Sequence, residues 1–359
     1  MSSKQREIKL LPEVLRQLRE TSGYSVDEIA KRLKTTEKKI KEVEAGESAF
    51  TLSQIEKLAN VYKRPLAAFF SDSIPKLPEL VDFRINREKR LSPQVYLAQR
   101  KAQYLSEKIE ELSGEKSQIP SFPKKFKPDK LAEEFKKYLN IQLLKSKKPT
   151  EILAYYKKIL EDKLKIIVIE YPMKADDVRA FSIHSDISVI VLNEEDKPSI
   201  KLFSLIHEVC HLVKNTAGIC SLEIEQEDQK QEFYCNKFAA EFLVPLGDLK
   251  LEIEKLASID DESIDKLSEI YGVSKQVIML RLLWLGYIGK ERYNQFKSGL
   301  KEPPPKKFGR RNWEKVFLNR VGELSLQEVK RAYHEEKITY YEALSILGLK
   351  TQYAEKIFT

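Results

Sequence analysis

Cysteine and long apolar runs are scarce in this chain, and each scarcity argues against something. Three cysteines, an odd number with no paired spacing, argue against a disulfide framework and for a reducing, cytoplasmic setting. The opening residues Met1 to Lys9 are too polar to read as a signal peptide. No apolar run approaches the roughly 18 residues that would suggest a membrane span. No repeat with a period of roughly 20–50 residues is visible, which excludes a solenoid or propeller. The 42% hydrophobic content is ample for packed cores, and 359 residues imply two or three domains. A net charge of +8 suits an acidic partner such as nucleic acid. At 33% charged residues, however, most of the lysines read as solvated helix faces.

Two of only four histidines fall in one stretch, His207-Glu208-Val209-Cys210-His211. An α-helix turns about 100° per residue, so His207 and His211 lie about 40° apart, one turn above each other. Both imidazoles can then reach one metal ion. Glu208 lies beside that face, placed to take a proton from an attacking water rather than to bind the metal. The preceding run Ile200–Ile206 is largely apolar and free of Pro and Gly, so a helix is expected. Its apolar neighbours Leu202, Phe203, Leu205, Ile206, Val209, Leu212 and Val213 make that helix a buried one. Buried histidines and a buried glutamate need partners.

Two histidines leave a catalytic metal site one protein ligand short. Downstream, the spacing of Phe233, Phe238, Ala239, Phe242 and Leu243 predicts a second helix, stopped at Pro245. Glu232 near its start and Asn236 one turn later can point at one spot. Glu223, Glu225, Glu227 and Asp228 compete as donors from a polar segment that otherwise reads as a solvated loop.

"SIKLFSLIHEVCHLV" followed by "EFYCNKFAAEFLVP" resembles the ImmA/IrrE family of metallopeptidases, and "VRAFSIHSDISVIVLN" resembles the strand pair that precedes its helix, leading to Asn193. The resemblance implies zinc held by His207, His211 and Glu232, with Glu208 as general base. Three positions depart from the family pattern: Cys210 stands where Gly is usual, Cys235 where Ala is usual, and Val244 where Met is usual. Both cysteines are small enough to preserve close helix packing.

Residues 10 to 70 read as short helices with tight turns. Ser25 with Glu28 forms an N-terminal capping box, and Thr35 or Thr36 caps the next helix, which runs to Ala45-Gly46. This pair resembles the helix-turn-helix of the Cro/C1 (XRE) family, whose pattern the Glu44-x-Gly46 ending fits. "FTLSQIEKLANVYKRPLAAFF" resembles the fourth and fifth helices of the subset fused to ImmA/IrrE domains, as does "VDFR" at 81–84. A recognition helix would present Thr35, Thr36, Lys38, Lys39 and Lys41 to double-stranded DNA. Glu37, Glu42 and Glu44 share it and repel phosphates, and Val26 stands where the family usually has a DNA-contacting Gln. Dimerisation or partner docking is the competing role for this module.

Between and beyond these motifs, Gln94–Leu112 reads as a connecting helix. Residues 115–130, with Pro120, Pro123 and Pro128 among lysines, read as a hinge or exposed linker. Helical spacing recurs over 131–144 and 151–160, and strands are expected over 166–171, 180–183 and 187–192. Past Pro245, residues 267–285 have a second helix-turn-helix look, with an apolar face expected in the core and Arg281 in an ion pair. Residues 297–311 read as a basic linker, and helices from Trp313 to Thr359 resemble the family's ending. His184 could donate to an oxyanion, as could Tyr234, although ordinary packing accounts for both. His334 reads as exposed.

The fold expected is α+β and mostly helical. Its parts are an all-α helix-turn-helix domain over 8–73, a linker with a connecting helix over 74–129, and a compact zincin-like peptidase domain with a small sheet over 130–250. A helix-turn-helix-like segment follows over 251–298, then a basic linker and C-terminal helices over 299–359. The function expected is a cytoplasmic zinc metalloendopeptidase and regulator that cleaves a partner repressor or antitoxin-like protein and thereby controls transcription, with no membrane association and with homodimerisation open. The competing readings are a non-catalytic DNA-binding transcription factor that uses the peptidase fold as a sensor, and a toxin–antitoxin component.

Overall fold

The computed structural model describes residues 7–72, 91–173, 178–215, 218–220, 230–299 and 312–358. They form two compact units, the first comprising 7–72 with 91–101 and the second the remainder.

In the first unit, β1 (Glu7–Ile8) pairs antiparallel with β2 (Phe50–Thr51). Helices α1 (Pro12–Glu20), α2 (Val26–Leu33), α3 (Glu37–Glu44) and α4 (Leu52–Tyr62) surround a core of Leu18, Ile29, Ile40, Ile55, Tyr62 and Phe69. Each start has a local cause. Pro12 opens α1, and Ser25 with Glu28 forms the expected capping box on α2. Thr36, rather than Thr35, caps α3 by accepting from the Lys39 amide at 3.2 Å. The Glu44-x-Gly46 ending has a structural role. Glu44 receives two hydrogen bonds from Arg19, at 2.7 and 2.8 Å, tying α3 to α1, while Gly46 takes φ +80° to leave the helix. Leu66–Phe70, expected as a fifth helix, forms only a 3-10 turn after Pro65.

The connecting helix is α5 (Pro93–Ser113). Its first half belongs to the first unit, where Arg100 donates to the carbonyl oxygens of Tyr62 and Lys63. Its second half belongs to the second unit, where Ser106 donates to the Ile187 carbonyl at 2.6 Å.

The second unit continues with α6 (Pro128–Leu139), α7 (Pro149–Leu164), β3 (Ile167–Tyr171), β4 (Ala180–Ile183), β5 (Val189–Asn193), α8 (Pro198–Val213), β6 (Gly218–Cys220) and α9 (Lys230–Leu243). The sheet order is β3-β5-β4-β6, with β3 parallel to β5 and the other two pairs antiparallel. α8 packs on this sheet and against α7 and α9. Phe135, Tyr156, Phe238 and Phe242 bind α6, α7 and α9 through ring contacts of 5.3–6.1 Å. α6 stops five residues short of the expected end because Asn140 turns left-handed at φ +46°.

The expected linker over 115–130 is fastened rather than loose. The Ser117 and Gln118 amides donate to Asp186 and Leu164 carbonyls at 2.7 and 2.8 Å, and Ile119, Phe122 and Phe126 pack on the core. Its lysines face outward; its apolar residues hold it down.

Then come α10 (Leu246–Ile253), α11 (Asp261–Tyr271), α12 (Lys275–Trp284) and α13 (Lys290–Gly299). The helix-turn-helix look of α11 and α12 is a core feature: Leu267, Val277, Ile278, Leu280 and Leu282 are buried, and Arg281 pairs with Glu241 on α9. Helices α14 (Trp313–Val321), α15 (Glu323–His334), α16 (Tyr340–Leu347) and α17 (Thr351–Phe358) follow, and α14 and α15 pack against β3. The turn between them needs glycine. Gly322 sits at φ +81°, and a Cβ there would lie 2.9 Å from Glu161 Oε1 and 3.4 Å from the Val168 carbonyl oxygen.

Candidate metal centre

Pro198 opens α8, and every residue from Lys201 to Leu212 is buried, so this helix runs through the core. The one-turn spacing of His207 and His211 brings their Nε2 atoms to 3.0 Å. α9 supplies the third group. Glu232 Oε2 lies 3.1 Å from His207 Nε2, and Glu232 Oε1 lies 3.1 Å from His211 Nε2. Each of the three residues is no more than 3% exposed.

Two imidazole nitrogens and a carboxylate converging away from water would be costly without a cation to bind them. A tetrahedral zinc with bonds of about 2.0–2.2 Å sets its ligand atoms roughly 3.3 Å apart, so spacings of 3.0–3.1 Å suit such an ion with little movement. The donor set fits zinc.

Without a metal, the carboxylate and the imidazoles act as an ion pair. Burial opposes a charged Glu232, yet the two histidines outweigh it and hold its carboxyl far below the usual range. Burial likewise opposes a charged His211, but contacts with Cys235 and Glu232 dominate and raise its pKa well above the usual histidine value.

Glu208 is fully buried beside the cluster, where its Oε2 accepts a 2.8 Å hydrogen bond from Ser182 on β4. Sequence reasoning missed Ser182. The signal was a lone hydroxyl in an otherwise apolar strand, Ala180–Ile183, shortly before the motif. It also read Cys235 only as a small packing residue. Cys235 lies one turn beyond Glu232, with a ligand atom within 4.8 Å of those of His207 and His211.

The other candidates fall elsewhere. Asn236 is buried one turn beyond Glu232. Glu223, Glu225, Glu227 and Asp228 lie outside the described residues. His184 is exposed just past the end of β4, and the Tyr234 hydroxyl donates to the Phe126 carbonyl at 2.7 Å. His334 is exposed.

In the first unit, Lys38 and Lys41 are exposed on α3, and Thr35 is half-buried. Thr36 is engaged as the helix cap. Lys39 is half-buried, bonded to Ser48 and 3.6 Å from Glu7, and Lys38 lies 3.8 Å from Glu42.

Residues 161–283 match the family model of the IrrE N-terminal-like domain, a peptidase family. Residues 11–68 match a helix-turn-helix domain model. No curated protein matches the chain. The chain thus joins a helix-turn-helix domain to an IrrE N-terminal-like peptidase domain.

Proposed function

We propose that this fusion is a zinc-dependent metalloendopeptidase that cleaves a partner repressor or antitoxin-like regulator, and that its helix-turn-helix domain binds double-stranded DNA. The observation that carries the peptidase reading is the convergence of His207, His211 and Glu232 at 3.0–3.1 Å beside a fully buried Glu208. His207, His211 and Glu232 would hold the metal. When bound, zinc would polarise a peptide carbonyl and ease ionisation of a water. Glu208 takes the proton of the attacking water and later delivers it to the leaving amine. Ser182 holds one Glu208 oxygen, which aims the carboxylate. Burial of α8 excludes bulk water from the carboxylate, so the proton stays between Glu208 and the reacting groups.

The decisive experiment is Glu208→Gln in the full chain, read by metal content, cleavage of the co-expressed partner by intact mass, and promoter output. Metal retention should be unchanged while cleavage falls by a factor of about 10² to 10⁴. Regulation that persists with metal bound and no cleavage would instead make the domain a sensor.

A further inference from the structure

We propose that Cys235 is a thiolate ligand of the metal centre, giving the resting chain a closed site with four protein ligands: His207, His211, Glu232 and Cys235. This rests on the metal reading above and adds a regulatory state to it. Glu232 and Cys235 are three residues apart on α9, so their side chains leave the same face of that helix. That face meets the one-turn histidine pair of α8. Cys235 Sγ and the ligand atoms of His207 and His211 all lie within 4.8 Å of one another, and all three residues are buried. The thiol also contacts His211 and Cys210, and burial pushes its pKa well above the usual thiol value, so a thiolate forms there only with a metal to bind it. Cys210 and Cys235 are both unbridged.

The chemistry of the set is coherent. Thiolate, imidazole and carboxylate are all zinc ligands, and a four-protein-ligand zinc is the closed, structural form of the site. On ligation the Sγ–H bond breaks, the sulfur lone pair goes to the metal and the proton passes to solvent, with no change of oxidation state. A thiolate in the fourth position occupies the place an attacking water needs. The closed state would therefore be inactive, and the centre would open when a water replaces the Cys235 sulfur, which takes up a proton from solvent to become the thiol again. The alanine that the family resemblance leads one to expect at this position would give a permanently open site. The cysteine confers latency.

Cobalt substitution separates the possibilities. Co²⁺ loaded into the full-length chain under reducing conditions should show visible d–d bands of a tetrahedral ion together with a near-ultraviolet thiolate-to-cobalt charge-transfer band. Cys235→Ala and Cys235→Ser should lose the charge-transfer band and keep the d–d bands, whereas Cys210→Ala should keep both. A wild-type spectrum with d–d bands and no charge-transfer band overturns the proposal while leaving the metal reading intact. So does a charge-transfer band that survives in Cys235→Ala. Absence of stoichiometric cobalt binding in the wild-type chain overturns the metal reading itself, and this proposal with it.

Discussion

Glu208 and Glu161 are both buried carboxylates, and their surroundings give them different tasks. Glu208 receives its hydrogen bond from Ser182 beside the candidate metal centre. A hydrogen bond to a charged group is worth about 1.5–3 kcal/mol, so Ser182→Ala should slow peptide cleavage roughly ten- to a hundredfold. Metal content, measured in the same preparation, should not change; an unaltered rate would remove Ser182 from the aiming of Glu208. Glu161 lies in the junction of α7, β3 and α15, where it accepts from the Val168 and Leu324 amides. Burial there dominates the pull of Lys157 and raises its pKa from 4.5 to about 7. In that window the folded chain keeps a proton that the unfolded chain has lost. Its contribution is therefore fully present below pH 4.5 and is lost as pH rises through about 7. The loss is on the order of 3 kcal/mol. Denaturant unfolding at pH 5 and pH 8 should show this slope in the natural chain, and Glu161→Gln should flatten it.

Among the elements, α3 carries the DNA question. Of its proposed contacts, Thr36 is consumed as the helix cap and Lys39 is engaged by Glu7 and Ser48, whereas Lys38 and Lys41 project from the surface. The useful variant is thus Lys38→Glu/Lys41→Glu. If α3 approaches the phosphate backbone, this change should weaken operator binding and reduce the salt slope by about 1 per lost lysine contact. Affinity measured across a salt series checks it; an unchanged slope takes α3 out of the interface. The same local pattern has another use in α11 and α12. There the helix-turn-helix spacing serves packing, because both helices bury their apolar residues and Arg281 turns inward to Glu241.

At the scale of the whole molecule, the proposed metal would couple to the fold, because its proposed ligands lie on two helices, α8 and α9, that meet in the core. A ligand held only by the folded state stabilises it by about 2.7 kcal/mol at a free concentration one hundred times its Kd. Chelation should lower the melting midpoint of the second unit by several degrees, and added Zn²⁺ should restore it. In calorimetry of His207→Ala, chelator and zinc should have little effect; an equal shift in that variant would place the stabilising metal elsewhere. The C-terminal helices belong to the same coupled body. Arg320 bonds Glu194 at 2.6 Å, Lys157 bonds Asn319 at 3.1 Å, and Gly322 lets the chain pass close to Glu161.

What the sequence determined by itself was local. The histidine pair one turn apart, the capping residues of α2 and α3, and the alternation of strand and helix over 166–213 all follow from interactions spanning a few residues. Such interactions depend on backbone periodicity and side-chain reach, both of which a sequence displays. Tertiary structure decided which distant groups meet. Glu232 reaches His207 across 25 positions, and Ser182 reaches Glu208 across 26. The family resemblance pointed to Glu232 but not to Ser182, and spacing along the chain alone orders neither, since their approach depends on how α8 packs against α9 and β4. The proline- and lysine-rich segment before α6 makes the same point, reading as a hinge until its three apolar residues find a core to bind. Cys235 reads as a packing residue along α9, and only the packing of that helix against α8 brings its thiol to the histidines.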